Sequence, residues 1–207
     1  MKRRDFLTAA ALGLALPALS GGPAFAESID VDAILHDPAA PTAGNAKGDV
    51  TIVAFLDYNC PYCKKSAPDL DRIVREDGKI RLVYKDWPVL TEASVYGAQL
   101  ALAAHYQQQY DRVHHALMAI PGGRVPQDKM LAAVKASGVG LEQLQNDLKA
   151  HAADITALLR RNLAQADSLG LQGTPTYLVG PFRTSTLDYA GFKQVVSDAR
   201  KKQAAGQ

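Results

Sequence analysis

Apolar and polar residues alternate along the chain in patterns that predict three strands and a long helical middle. Val50–Leu56 is a nearly continuous apolar, β-branched run, which is typical of a strand buried on both faces. A helical stretch follows to about residue 76 and is closed by Asp77-Gly78, and residues 79–85 then alternate in the manner of a second strand. Thr176–Val179 has strand character again, and residues 189–202 predict a final helix.

Residues 91–169 are expected to be helical because their apolar residues recur every three or four positions. The predicted apolar faces are Val95, Ala98, Leu102 and Tyr106; Tyr110, Val113 and Leu117; Leu141, Leu144 and Leu148; and Ile155, Leu158, Leu159 and Leu163. Pro121-Gly122-Gly123 and residues 137–140 break the stretch into shorter helices. The order strand, helix, strand, helical block, strand, helix favours an α/β core with a helical insertion.

These patterns predict the domain organisation. Residues 27–49 form a lead-in, of which 36–49 are rich in Pro, Gly and Ala and are expected to be exposed. Residues 50–90 and 170–207 form one domain with a central β-sheet, and residues 91–169 form a helical domain inserted in it. A composition of 47% hydrophobic and 21% charged residues is that of a globular protein and excludes a disordered chain.

Residues 1–26 have the features of a cleaved export signal. A basic start with Arg3-Arg4 precedes an apolar stretch that ends near Leu19, and Ala24-Phe25-Ala26 supplies a cleavage site before Glu27. The apolar stretch is too short and too rich in Ala and Gly to span a bilayer core of ~30 Å. The start resembles a twin-arginine signal, although the general secretion route stays open. Either route predicts a protein outside the cytoplasm, in the periplasm.

Removal of the signal leaves a chain with no net charge. Lys+Arg falls from 23 to 20 and Asp+Glu from 21 to 20, since Lys2, Arg3, Arg4 and Asp5 are lost. Nothing in this balance supports binding to nucleic acid.

The chain has only two cysteines, Cys60 and Cys63, and they form a Cys-Pro-Tyr-Cys motif where the first strand meets the following helix. Amides and the positive dipole end at a helix N-terminus stabilise a thiolate, so Cys60 is a candidate nucleophile. Pro61 suits the first helical turn. Cys63 lies one turn further on, where it can resolve a mixed disulfide formed at Cys60.

Two other interpretations of this motif compete with redox chemistry. A purely structural disulfide is disfavoured because so short a loop restrains little chain entropy. A zinc site needs two more ligands, and the histidines are scattered; His114-His115 is expected to be partly exposed polar surface. No metal site and no cofactor are therefore expected.

Two motifs resemble the DsbA-like branch of the thioredoxin superfamily. The first runs from Phe55 to Lys64 around Cys60-Pro61-Tyr62-Cys63, and the second is Gly173-Thr174-Pro175-Thr176-Tyr177-Leu178-Val179. With the helical block between them, the resemblance extends over about residues 50–202. It implies a thioredoxin-like fold and a protein-disulfide oxidoreductase.

The resemblance also implies roles for these residues. Cys60 would be the exposed nucleophile and Cys63 the more buried resolving thiol, while Pro61 and Tyr62 would tune the redox potential. Pro175 would be cis, and the Thr174 backbone would be offered to an extended substrate peptide.

One departure from the superfamily pattern concerns proton transfer. Thioredoxin has a buried carboxylate six residues before the first cysteine, but that position here is Ala54. Asp57, Lys85 and Asp86 are the nearby candidates for the role. Each is more often a surface or ion-paired group, so none is assigned.

The resemblance implies a dithiol oxidase that introduces disulfides into exported proteins. Its substrates would be cysteine-containing, unfolded or partly folded proteins, and a membrane electron acceptor of the DsbB type would recharge it. A disulfide isomerase or reductase on the same scaffold is the first alternative, and a binding module or chaperone with incidental thiols is the second. The short lead-in before the first strand favours a monomer over the stalked oligomers of isomerases.

Overall fold

The computed structural model describes residues 29–206, which fold around a five-stranded mixed sheet with the strand order β1-β3-β2-β4-β5. The export signal expected at residues 1–26 lies outside the described residues. The strands are β1 Thr42–Gly44, β2 Val50–Leu56, β3 Ile80–Asp86, β4 Thr176–Val179 and β5 Phe182–Thr184. The helices are α1 Val31–His36, α2 Pro61–Asp77, α3 Glu92–His105, α4 Tyr110–Met118, α5 Gln127–Ala136, α6 Leu141–Ala150, α7 Ala152–Ser168 and α8 Tyr189–Ala204.

The central strand β2 is buried on both faces, as its apolar run predicted. Ile52 and Ala54 belong to the large core that α2 and α8 complete on one face of the sheet. Val53 and Phe55 belong to a smaller core formed with α1 and α7 on the other face. β2 runs parallel to β3 through the α2 crossover and antiparallel to β4. The end of β2 therefore lies beside the start of β4.

The helices α3 to α7 lie between β3 and β4 in the chain, where a helical block was expected. Their buried faces differ in part from the predicted ones, because Val95, Tyr106 and Leu163 are exposed by 37%, 44% and 43%. On α7 it is Asn162 that faces inward, and its side-chain N–H donates to the backbone carbonyl of Asp86 at 3.0 Å. None of the helices in residues 29–206 combines the length and apolar character needed to cross a membrane.

The lead-in is more ordered than its composition suggested. Most of residues 36–49 are exposed, as expected, but Thr42–Gly44 form the unpredicted strand β1, which pairs antiparallel with β3. Gly44 at its end has φ +72, and a Cβ there would come within 2.4 Å of the Ile80 carbonyl oxygen, so the close pairing requires glycine. β5, which pairs with β4, was not predicted either. Strands of three residues are too short to show a period.

Candidate active site

The two cysteines lie where β2 gives way to α2, and Asp57 closes the turn between these elements. Its backbone carbonyl accepts a hydrogen bond from the Cys60 N–H at 3.1 Å. One carboxylate oxygen accepts from the Asn59 N–H at 2.7 Å, and the other accepts from the N–H groups of Val89 and Leu90 at 2.9 and 3.0 Å. A carboxylate can accept several bonds at once, so Asp57 joins the cysteine turn to the segment that follows β3.

Cys60 is the N-cap of α2, and its sulfur does the work that a serine or aspartate oxygen does in other helices. The backbone at Cys60 is extended, and Sγ accepts a hydrogen bond from the Cys63 N–H at 3.3 Å. Pro61 starts the helix, where its missing N–H leaves no bond unmade. The sulfur therefore sits at the positive end of a long helix, which favours its negatively charged form.

The environments of the two thiols push their pKa values in opposite directions. The hydrogen bond from the Cys63 side chain, helped by the backbone N–H groups of Cys63 and Tyr62, lowers the pKa of Cys60 to about 6 against the opposing effect of burial. Burial, followed by the hydrogen bond and charge of Cys60, raises the pKa of Cys63 far above its ordinary value. At neutral pH Cys60 is largely a thiolate and Cys63 is a thiol. The pair is present as free cysteines.

Cys60 is less accessible than the resemblance implied. It is 3% exposed, against 0% for Cys63, so the order of exposure agrees but the expectation of an exposed nucleophile is wrong. The loop at Thr174 covers the sulfur, and the Thr174 carbonyl oxygen lies 3.1 Å from it, where it accepts a hydrogen bond from Cys60 in the protonated thiol form. Tyr62, by contrast, is 60% exposed beside the motif.

The Thr174–Pro175 peptide bond is cis, which is the isomer that the resemblance implies. Pro175 leads directly into β4, and the Thr176 hydroxyl steadies the loop by donating to the Gly173 carbonyl at 2.7 Å. An open cavity of about 630 Å³ adjoins this loop and is lined by residues 170–176 and 183–187. The site therefore lies where β2 ends and β4 begins, and it brings together Cys60, Cys63, Thr174 and Pro175.

Asn59 contributes to the site in a way that sequence reasoning missed. Its side-chain oxygen accepts from the Val125 N–H at 2.8 Å, and its side-chain N–H donates to the Val125 carbonyl at 3.2 Å and to the Thr91 hydroxyl at 2.7 Å. The amide is buried and pairs with Val125 as a neighbouring strand would. It therefore fixes both the loop before α5 and the start of α3 to the cysteine turn.

Lys64 holds the same loop from the helix side. Its ammonium donates to the Gly122 carbonyl at 2.9 Å. Gly123 lies so close to the turn that a Cβ on it would approach the Asn59 carbonyl oxygen to 3.2 Å and Pro61 to 3.6 Å. The Pro121-Gly122-Gly123 break in the helical pattern was the available signal, because glycines permit such an approach.

A buried chain of polar side chains lies behind the cysteine turn. The Tyr110 hydroxyl donates to the Asp86 carboxylate, with both oxygens at 3.1 Å. The Tyr58 hydroxyl lies 3.4 Å from that of Tyr110 and 3.0 Å from His114 Nδ1. Burial raises the pKa of Asp86 to about 7 and lowers that of His114 to about 3. His114 is therefore neutral inside the core.

The buried positions of Asp86 and His114 correct two expectations from the sequence. Asp86 is 2% exposed, and its carboxylate is bonded by the neutral Tyr110 hydroxyl. It is therefore neither a surface group nor an ion-paired group. His114 is 1% exposed instead of partly exposed, because α4 is packed on both of its sides. His115 agrees with the expectation: its side chain is 49% exposed and contacts the Asp71 carboxylate at 2.8 Å.

Lys85 and Asp57, the other proton-transfer candidates, are also fully buried. The Lys85 ammonium lies 4.0 Å from the Asp37 carboxylate, and burial lowers the pKa of Lys85 to about 8. Lys85 pairs in register with Phe55 and so belongs to the sheet face of α1 and α7, whereas Cys63 packs in the core of α2. It lies on the wrong face to serve the cysteines.

Within residues 29–206, His, Cys, Asp and Glu side chains form no group of three or more that could hold a metal ion. The chemistry that this site offers is that of a polarised pair of thiols, one activated and one protonated, beside the half-buried backbone of Gly173 and Thr174.

Comparison with known proteins shows which family this fold and site resemble. The family model described as Thioredoxin matches residues 36–198. A thioredoxin-like oxidoreductase from Silicibacter pomeroyi is 38% identical, with a TM-score of 0.77, and the match covers 83% of this chain and 98% of that one. The thiol-disulfide exchange protein alpha-DsbA2 from Wolbachia pipientis is 28% identical, with a TM-score of 0.75, over 81% of this chain and 90% of that one.

The curated relatives include longer proteins. A Na(+)/H(+) antiporter, NhaA 1 of Salinispora arenicola, is 31% identical over 144 residues, which are 66% of this chain and 21% of that protein. The chain thus spans about a fifth of the length of this relative. The thioredoxin-like fold, with a central sheet and an inserted run of helices, agrees with the prediction from sequence. Since the family model covers most of residues 29–206 and the structural matches extend over four-fifths of the chain, the chain belongs to the thioredoxin family.

Proposed function

We propose that the chain is an exported thiol–disulfide oxidoreductase that introduces disulfides into exported proteins through Cys60 and Cys63. The observation that carries this proposal is the position of the two thiols: Cys60 Sγ caps the N-terminus of α2, 3.3 Å from the Cys63 N–H, and Cys63 is fully buried. This geometry lowers the pKa of Cys60 to about 6 and raises that of Cys63. A stable Cys60 thiolate favours the reduced enzyme, so the corresponding disulfide is a good oxidant.

The reaction proceeds by two exchanges. A substrate thiolate attacks Sγ of Cys60 in the disulfide form, the Cys60–Cys63 bond breaks, and Cys63 leaves as a thiolate that takes up a proton because its pKa is high. A second substrate thiolate then attacks the substrate sulfur of the mixed disulfide and expels the Cys60 thiolate. The substrate gains a disulfide, and two electrons pass to the enzyme.

Substrate would bind as an extended peptide along the Thr174–Pro175 loop. The cavity beside this loop and the exposed side chains of Tyr62, Val89 and Leu90 support this placement, since they offer apolar surface around a nearly buried sulfur. An unfolded or partly folded cysteine-containing protein presents such segments.

Turnover requires an oxidant for the dithiol. A membrane electron acceptor of the DsbB type would accept the two electrons outside the cytoplasm, after export and cleavage of the signal before Glu27. The enzyme would act as a monomer, with residues 91–169 as its inserted helical domain.

The proposal is tested with a reduced, unfolded substrate protein and the oxidised enzyme. We expect Cys60→Ser to abolish oxidation and Cys63→Ser to accumulate a mixed disulfide that gel electrophoresis detects without reductant. Equilibration with glutathione should give a potential above about −200 mV, compared with about −270 mV for thioredoxin. Oxidation by Cys60→Ser would refute the enzyme assignment. A potential near that of thioredoxin would indicate a reductase, and preferential activity on scrambled disulfides would indicate an isomerase.

A further inference from the structure

Two buried hydroxyl groups meet beneath the first turn of α2. The Ser66 Oγ and the Tyr177 hydroxyl oxygen are 2.6 Å apart, and the two residues are 1% and 0% exposed. Ser66 Oγ also lies 3.1 Å from the Tyr62 carbonyl and 3.3 Å from the Cys63 carbonyl. The pair thus joins β4 to the turn of helix that carries Cys63.

The number of hydroxyl protons limits the directions that these hydrogen bonds can take. Ser66 has one hydroxyl proton, and the carbonyl groups of Tyr62 and Cys63 can only accept. When that proton bonds one of these carbonyl oxygens, the Tyr177 hydroxyl donates to Ser66, and the 2.6 Å separation allows either hydroxyl to be the donor. Burial raises the pKa of Tyr177, and the negative charge of the Cys60 thiolate raises it further, so the Tyr177 hydroxyl stays protonated.

The strand register explains why Tyr177 can reach the helix. Tyr177 pairs with Ala54 of β2, and Tyr84 pairs with Ala54 from the other side. The small side chain of Ala54 leaves room between the two rings on the face that α2 covers. Tyr177 is also two residues beyond Pro175, so its bond connects the cis-proline loop to the cysteine helix.

We propose that Tyr177 is a positioning residue for the cysteine pair: through Ser66 its hydroxyl fixes the first turn of α2 against the Thr174–Pro175 loop. This contact keeps the Cys63 N–H at the Cys60 sulfur, 3.3 Å away, where it donates to the thiolate. The role deepens the proposed function, because it concerns the activation of the same nucleophile. Without the contact the turn is free to shift, and the thiolate loses part of its stabilisation.

The test is the pH profile of Cys60 alkylation by iodoacetamide in the reduced, full-length protein. Tyr177→Phe removes only the hydroxyl, and we expect the alkylation midpoint to move to higher pH, with a several-fold lower thiolate population at pH near the wild-type midpoint. Ser66→Ala should shift the profile in the same direction. The double variant should shift it no more than the larger single shift, since both remove one linkage.

Tyr84→Phe is the matched control. Tyr84 is equally buried and flanks the same Ala54, but its ring packs against Tyr110 and His114 on the other side. We expect its alkylation profile to match that of the wild type, and circular dichroism to be unchanged in all variants. A profile in Tyr177→Phe equal to that of Tyr84→Phe would overturn the proposal. Should Tyr177→Phe not fold, the shift in Ser66→Ala decides.

Alkylation needs neither a substrate protein nor an electron acceptor. A wild-type enzyme that fails to oxidise substrate would therefore refute the proposed function and leave this test unaffected. Conversely, an unshifted Tyr177→Phe profile in an active oxidase would refute the positioning role alone.

Discussion

Asn59 uses both ends of its side-chain amide on the backbone of Val125 and still donates to the Thr91 hydroxyl. A single polar residue next to the nucleophile thus holds two distant segments. Because all three contacts are buried or nearly so, their loss leaves polar groups without partners, and such groups cost more free energy than the bonds themselves contribute.

We predict that Asn59→Ala lowers the free energy of unfolding by about 2 kcal/mol or more, since at least two backbone groups of Val125 lose their partner. Urea unfolding measures this change. Asn45→Ala is the matched control: Asn45 also bonds a distant backbone carbonyl, that of Gly78 at 3.0 Å, but on the exposed surface. Its effect should be clearly smaller. Equal losses in the two variants would contradict the assigned role of Asn59.

The sequence predicts roles that depend on neighbouring residues, but not contacts between residues that are far apart along the chain. The redox roles of Cys60 and Cys63 are expected from a local motif at a strand-to-helix junction. Asn59 belongs to the same motif, but its partners lie 32 and 66 residues away. No local pattern reports such contacts, which exist only once α3 and the loop before α5 have packed.

At the scale of elements, α4 was predicted as a helix, but the exposure of one of its residues, His114, was predicted wrongly. The apolar face of Tyr110, Val113 and Leu117 is buried as predicted. His114 is buried too, because α4 is packed against α2 on one side and against α3 and α5 on others. An apolar stripe identifies one buried face, and a polar residue beside it becomes buried only through neighbours that the stripe does not specify.

The chain of groups that ends at His114 begins at Asp86 on β3, and it makes stability depend on pH. The pKa of Asp86 in the folded protein, about 7, lies above the ordinary value of about 3.9 for an unfolded chain. Folding therefore favours the protonated carboxyl. Its contribution is fully present below about pH 4 and is lost as pH rises through about 7.

We predict that Asp86→Asn, which cannot ionise and still accepts from Tyr110, stabilises the protein at about pH 8 more than at about pH 5. Urea unfolding of the wild type and the variant at both pH values measures the difference. Asp128→Asn, which makes the same substitution at an exposed site on α5, is the matched control. A difference between Asp86→Asn and the wild type that is the same at both pH values would show that burial does not perturb this carboxyl.

For the whole molecule, strand order is what assembles the site. Cys60 and Thr174 are 114 residues apart, yet the thiol and the carbonyl are 3.1 Å from each other. β4 runs antiparallel to β2 beside it, with Thr176 opposite Phe55, so the loop entering β4 meets the turn leaving β2. The apolar runs predicted both strands but not their adjacency, which came from the resemblance. The edge strands β1 and β5 were missed because three residues give no pattern.

The redox state of the pair should alter the stability of the entire fold, and pH should control by how much. In the reduced protein the pKa of Cys60 is lowered to about 6, so the thiolate stabilises the fold fully above the unfolded thiol value of about 8.5, and this contribution is lost as pH falls through about 6. The contribution of Cys63 to the unfolding free energy has the opposite pH dependence. Because its pKa is raised in the folded protein, Cys63 destabilises the fold as pH rises beyond about 8.5.

The oxidised protein has no thiol to titrate, and its cross-link changes the unfolded chain by an amount independent of pH. We therefore predict that the unfolding free energy of the reduced protein, minus that of the oxidised protein, grows between about pH 6 and about pH 8.5. Urea unfolding with and without reductant measures this difference, and reduced Cys60→Ser should lack the rise because no thiolate forms at the helix N-terminus. A difference that stays constant across this range would mean that folding does not stabilise the Cys60 thiolate. The fold would then give no preference for the reduced state, and an oxidising role depends on that preference.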